Sequence, residues 1–526
     1  MTTAKGFWIG LAIVIQTAVY IVAGMGKAYI HMDEAYSLGL ANYDQVEIQE
    51  NADFYNQWHD GAYYRDYLVV DADERGDFSP VYANQRDDVH PPLFYLLLRL
   101  GMELTLGEFS KWTGLALNMI YFAVNTVFLY LIVERLLKGE QARLAKAFGL
   151  TLAASITLAA ISTVVYIRMY ALLAMWVTMT VYLHMRLLES KKPRAGLLVA
   201  TGVVALLGVL TQYYYVFALA PLFVVMMVKY GRARRWAELK WYVGTLVLAA
   251  VVSLVVWPYA IQHLFFGYRG QGALGNLLNF TQLGKQMGIF LGLVTMYDFH
   301  YALPVILVAM FGLAVWGLRH GKRLEVQKER DNDWALVLWP TLFFLLIASV
   351  ASPFTDLRYL EAICGLLFVA VMLGLYWLVG LFASERGRNI TMAAVLGVVA
   401  VLPVPLKLEP DVEYSRFGEI VELVEANHEV PALYLFDMNN NRFLDDILLF
   451  TKLDESYVAN EPEDYTVTGF KRMLAGKDLK QGLLVFSNYG YGKENEAYLE
   501  ILREAAGLDE QEYVFRLNAG AVYWLR

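Results

Sequence analysis

The sequence has a single cysteine, Cys364, so no internal disulfide can form and the redox compartment cannot be read from thiols. Only 18% of its 526 residues are charged and only 14 are proline, against about 25% charge in an average soluble domain. So little charge excludes a disordered polyelectrolyte, and the sparse proline excludes a collagen-like chain. The net charge of −8 gives no electrostatic footing for nucleic acid. Internal repeats, zinc-ligand spacings, a P-loop, a G-x-S-x-G elbow and an EF-hand pattern are also missing. Apolar residues make up 58% of the chain and mean hydropathy is +0.41. With 35 tyrosines and 12 tryptophans, which settle at membrane–water boundaries, the composition predicts a polytopic membrane protein.

A bilayer core of about 30 Å requires roughly 20 mostly apolar residues per helix. Eleven stretches qualify as candidates, near 7–28, 113–137, 144–165, 168–188, 195–210, 212–229, 241–258, 300–318, 334–350, 360–382 and 390–406. The first is long and has no small-x-small cleavage site after it, so it reads as an uncleaved anchor. Linkers 134–146, 186–194, 229–240, 319–330 and 385–389 carry twenty Lys and Arg, whereas the far longer opposite linkers carry nine. The basic set is therefore expected to be cytoplasmic. That places the N-terminus inside and the tail from about Asp411 outside. The apolar segment Pro92–Leu106 is short for a crossing and is expected to lie in the interface.

The expected domains are a transmembrane domain over 1–410, including a first outer loop at 31–112, and a soluble tail over 411–526. Between Asp33 and Asp88 the loop carries fourteen acidic residues, most of them expected on a solvated surface. In the tail, strand-like runs at Ala432–Phe436, Ser456–Asn460, Gly482–Ser487, Tyr513–Leu517 and Ala521–Arg526 alternate with amphipathic stretches at Phe417–Ala426, Arg442–Leu453, Glu463–Leu474 and Glu494–Ala506. This alternation predicts a small α/β domain, its last two strands joined as a hairpin at Asn518–Gly520.

Four groups of residues are candidates for chemistry. Asp33-Glu34 follows the first span; carboxylates there suit a general base, or simply the acidic first turn of a helix. Asp88-Val89-His90-Pro91-Pro92 puts a histidine beside a carboxylate at a rigid corner, fit for a phosphate or a metal. Arg168 and Arg358 stand at outer helix ends, where a guanidinium suits phosphate oxygens or snorkels to headgroups. Gln212-Tyr213-Tyr214-Tyr215 reads as aromatic belt or as a sugar- or lipid-stacking surface. Gly270-x-Gly272-x-x-Gly275 matches a dinucleotide fingerprint but lacks its βαβ setting, so it is expected to be a flexible loop able to gate a site. The four groups map to one predicted side of the membrane, which suggests group transfer from a phosphorylated lipid.

At these residues the sequence resembles the GT-C fold glycosyltransferases of the protein-O-mannosyltransferase and aminoarabinose-transferase type, especially bacterial family-39-like members. The resemblance rests on Asp33-Glu34, on Asp88-x-His90-Pro91-Pro92-Leu93-Phe94-Tyr95, on Arg168-Met169-Tyr170, and on Ser352-Pro353 through Arg358-Tyr359. It spans about residues 5–405. It implies a polyprenyl-phosphate sugar donor, an extracytoplasmic protein, glycan or cell-wall acceptor, and inverting transfer at a bacterial plasma membrane. By the same resemblance Asp33 is the base and Glu34 helps to position substrate. Arg358, Arg168 and His90 stabilise the departing phosphate, and Asp88, Tyr170, Tyr213 and Tyr359 line the cavity. The acidic loop is longer than in many members and leaves a divalent cation open, with Asp33, Asp88 and His90 as candidate ligands. A lipid-intermediate flippase and a non-catalytic lipid-sugar-binding protein of the same fold are the alternative readings.

Overall fold

A computed structural model describes residues 3–526 apart from 191, 193, 279–282, 322–327, 411–416, 438–441 and 490–492. Its packing divides the chain into two compact units. The first holds 1–24, 89–94 and 115–412, and the second holds 25–88, 95–114 and 413–526.

The first unit is a helical array. Among the described residues eight helices are long and apolar enough to cross a membrane: Thr3–Gly26, Lys111–Leu136, Tyr170–Glu189, Tyr215–Arg232, Trp236–Val256, Asp333–Ala351, Glu361–Val379 and Glu385–Leu406. Arg143–Ser155 and Leu158–Val165 are a pair bent by 60°, a broken span or a re-entrant loop, and make nine if they count as one span. Ala195–Thr211 and Leu303–Arg319 are shorter apolar helices at the two remaining expected spans. All eleven expected stretches are thus apolar helices. Glu361–Val379 is at the centre, buried along almost its whole length from Ala362 to Tyr376. By contrast, Trp236–Val256 buries only Tyr242, Ala249 and Ser253 and leaves Val247, Leu248, Val251 and Val255 exposed. A helix apolar on its open side is matched to hydrocarbon rather than water.

Two features depart from the sequence reading. The Gly270–Gly275 stretch is not a flexible loop, since Tyr268–Leu278 is helical. Gly270 is required there because a Cβ would run into the carbonyls of His263 and Leu264. A further helix, Leu283–Tyr297, packs against Lys328–Ala351 within what was expected to be an outer loop.

The second unit is built around a six-stranded sheet. Its strands are β1 (Trp58–His59), β2 (Ala432–Leu435), β3 (Ser456–Ala459), β4 (Leu483–Ser487), β5 (Gln511–Arg516) and β6 (Ala521–Leu525). They lie in the order β1-β3-β2-β4-β6-β5. The β3-β2-β4 core is parallel, and β5-β6 is the expected antiparallel hairpin. Strands β2, β3 and β4 are buried on both faces, as parallel strands covered by helices must be. The five tail strands and the helices Gly418–Ala426, Phe443–Phe450, Val467–Met473 and Lys493–Ala506 fall where the alternation placed them. The loop was expected to go with the spans. Instead it packs with the tail, supplying β1 as an antiparallel edge strand on β3, Trp58 opposite Tyr457. The expected interfacial segment becomes the helix Leu93–Met102. At 1.5 Å per residue its ten residues span about 15 Å, too short for a crossing.

Candidate functional site

In the first unit the site is built on a four-residue corner between the helices Leu158–Val165 and Tyr170–Glu189. The corner is tight, because the Arg168 N–H donates to the Tyr166 carbonyl at 2.7 Å. Asn118, fully buried on the helix Lys111–Leu136, locks it by donating to the carbonyls of Val164 (3.1 Å) and Tyr166 (2.7 Å). Arg168 is itself buried at 6% exposure.

Arg358 comes to the same corner on the short turn Leu357–Tyr359. Asp356 caps that turn by accepting the Arg358 N–H at 3.0 Å, and its carboxylate stands 3.3 Å from the Arg358 Nε. Arg358 Nη1 donates to the Tyr166 hydroxyl at 3.0 Å. The Tyr166 ring is in turn stacked with Tyr170 at 6.3 Å between centroids. Tyr166 thus takes the Arg168 main-chain N–H on its carbonyl and the Arg358 guanidinium on its hydroxyl. Tyr359 lies beneath the Arg358 guanidinium at 5.4 Å and packs on Tyr214, whose hydroxyl donates to Ser352 at 3.5 Å. A forked guanidinium among phenols forms a set of donors suited to phosphate oxygens.

Tyr213 belongs to a neighbouring group, its hydroxyl accepting from Trp257 Nε1 at 3.2 Å and meeting His263 Nδ1 at 3.0 Å. Tyr214 stood in the Gln212–Tyr215 candidate run, whereas Tyr166 and His263 were not singled out from the sequence. Tyr166 had a visible signal, two residues ahead of Arg168, whereas nothing local connects His263 to position 213. His90 is half-buried at the head of the buried Pro91-Pro92 pair.

In the second unit, Asp33 and Glu34 open the helix Met32–Asn42. His31 is its N-cap. Its Nδ1 accepts the Asp33 N–H at 3.1 Å, and Glu34 reaches back to the His31 N–H at 2.8 Å, so a capping box sets the corner. With Nδ1 accepting, that nitrogen has no proton to offer the Asp33 carboxylate 3.8 Å away. The two carboxylates then diverge. Asp33 keeps 23% side-chain exposure, while Glu34 is fully buried in an ion pair with Lys27 at 2.8 Å. Glu34 thus braces the corner through Lys27 and the His31 N–H. Asp88 ends the helix Ser79–Asp87, its N–H donating to the Asn84 carbonyl at 2.8 Å. Among the described residues no group of three or more His, Cys, Asp or Glu is arranged to hold a metal ion.

The Lys27–Glu34 pair gives a first prediction. Lys27→Met leaves a buried carboxylate without its counter-charge, which costs about 3–5 kcal/mol. The double variant Lys27→Met/Glu34→Gln removes both charges and is expected to recover much of that loss. Thermal unfolding of the detergent-solubilised variants checks this, and equal destabilisation of single and double variants would contradict it.

An array of apolar helices bearing arginines and phenols at helix ends, followed in sequence by an α/β tail, is the architecture of the GT-C fold. Residues 89–257, which carry His90, Arg168, Tyr170 and Tyr213, match the family described as dolichyl-phosphate-mannose-protein mannosyltransferase. Among solved structures the chain is similar to ArnT from Cupriavidus metallidurans bound to undecaprenyl phosphate, with TM-score 0.50 and 10% identity over 98% of both chains. The apo form of that ArnT gives TM-score 0.48 and 12% identity, covering 100% of this chain and 98% of the other. The oligosaccharyltransferase AglB from Archaeoglobus fulgidus gives 0.46 and 11%, covering 99% and 74%. No curated protein matches the chain in sequence. At these identities the likeness establishes the fold.

Proposed function

We propose that the chain is a glycosyltransferase of the bacterial plasma membrane, moving a sugar from a polyprenyl-phosphate donor to an acceptor hydroxyl with inversion. The observation that carries this reading is the Arg358 guanidinium on the Tyr166 hydroxyl, at the corner whose backbone also bears the buried Arg168, where guanidinium and phenol groups can take the oxygens of a lipid phosphate. The fold shared with an undecaprenyl-phosphate-bound transferase and the partial mannosyltransferase match support it.

The acceptor oxygen attacks the anomeric carbon opposite the leaving group, so one C–O bond forms as the bond to the phosphate oxygen breaks. The hydroxyl proton goes to Asp33, and the bonding pair leaves with the polyprenyl phosphate. That leaving group needs charge stabilisation more than a proton, which Arg358 and Arg168 supply. Asp33 keeps enough exposure to meet a hydroxyl, as a base must. The excess of Lys and Arg in the opposite linkers supports an extracytoplasmic site and tail.

The test is to incubate the protein in nanodiscs with undecaprenyl-phosphate mannose, glucose and aminoarabinose, following release of undecaprenyl phosphate. Turnover of at least one donor is expected, raised by a hydroxyl acceptor. Binding without cleavage of any of them would leave a binding protein. Movement of intact donor across a vesicle bilayer would establish a flippase.

A further inference from the structure

The helix Met32–Asn42 begins with a backbone donor that its own turn cannot satisfy, since the first N–H groups of any helix have no intrahelical partner. His31 accepts from Asp33. The Met32 N–H is met from the far end of the chain, by Asp445 Oδ1 at 2.9 Å across 413 residues. Asp445 is buried at 1% exposure and is oriented by Arg442, whose Nε donates to its other oxygen at 2.7 Å. A carboxylate at a helix N-terminus also complements the helix dipole.

The next residue acts on the same stretch. Asp446 accepts from the Tyr29 hydroxyl at 3.0 Å and from Tyr434 on β2 at 3.3 Å. The Tyr29 ring lies stacked on Phe417 at 4.3 Å, with Phe515 against the other ring. Burial, with Asp445 beside it, pushes the Asp446 carboxyl up to about 8. The strap 27–32 is thereby fixed at three points: Lys27 to Glu34, Tyr29 to Asp446 and Phe417, and Met32 to Asp445.

We infer that the tail helix Phe443–Phe450 is a positioning element for Asp33, its Asp445 and Asp446 carboxylates holding the strap and capping the helix from which Asp33 projects. This rests on reading Asp33 as the base. The tail then has a task in the reaction without touching substrate. A strap anchored only at Lys27 would let the Met32–Glu34 turn fray, and a misplacement of about 1 Å can cost on the order of 10²-fold in rate.

The experiment uses the full chain in nanodiscs and the undecaprenyl-phosphate sugar turned over fastest. Asp445→Ala is expected to lower kcat at least tenfold, with donor KM changed less than twofold. Amide exchange over 29–36 is expected to accelerate, while the β4 segment 483–487 keeps its protection. Asp445→Asn retains an oxygen facing Met32 and is expected to restore kcat to within threefold of the parent. Wild-type kcat in Asp445→Ala overturns the inference, as does failure of Asp445→Asn to rescue. Unchanged exchange over 29–36, or loss of protection throughout the tail, overturns it equally. Asp33→Asn in the same assay separates the two readings. If it keeps full transfer, the assignment of the base fails, and the exchange result alone decides whether Asp445 orders the strap.

Discussion

Asp33→Asn is expected to abolish sugar transfer while leaving donor binding and folding intact. The substitution keeps the shape of the side chain and the backbone N–H that His31 caps, and it removes only the ability to take a proton. General-base contributions run to about 10²–10⁴-fold, so kcat should fall by that order with donor KM little changed. Glu34 cannot substitute, because it is fully buried against Lys27. Transfer within threefold of the parent would remove Asp33 from the reaction.

Arg358→Ala is the second large effect. The guanidinium is held before any ligand arrives, by Asp356 on one side and the Tyr166 hydroxyl on the other, so little reorganisation accompanies its action on a phosphate. Removing one such preorganised donor costs about 10²–10³-fold in kcat. Arg358→Lys should recover little, since an ammonium has no planar fork with which to meet Tyr166, Asp356 and a phosphate oxygen together. Weaker inhibition by free undecaprenyl phosphate should accompany the loss. Rates equal to the parent in both variants would show that the charge is stabilised elsewhere.

The spans were legible because a hydrocarbon core imposes a length and a composition that few other environments demand. The tail was legible for a related reason, as β2, β3 and β4 are short apolar runs bounded by polar turns. Strand β1 was not, because two residues, Trp58 and His59, carry no period of their own. They become a strand only through Tyr457 and Ser456. The helix Tyr268–Leu278 was hidden by its glycines, whose helix propensity is low, and at Gly270 the missing Cβ is what lets the backbone pass the His263 and Leu264 carbonyls.

The site was half legible. Adjacent acids after the first span marked the helix corner at His31, and the arginines marked the turns that meet at Tyr166. Which of Asp33 and Glu34 is the exposed one depends on Lys27, and what holds the corner depends on Asp445. Neither partner is a neighbour in any motif. Tyr166 shows another case, a residue two positions ahead of the Arg168-Met169-Tyr170 motif that is tied to an arginine 192 positions away.

The joining of β1 and Asp445 to opposite ends of the sequence sets a schedule for biosynthesis. The first loop emerges early, and its partners follow some 413 residues later. At about 5–20 residues per second that is a wait of roughly 20–80 s. During that interval the turn that bears Asp33 lacks its Asp445 clasp, so on the reading of Asp33 as the base the corner is ordered only after residue 445 has been made.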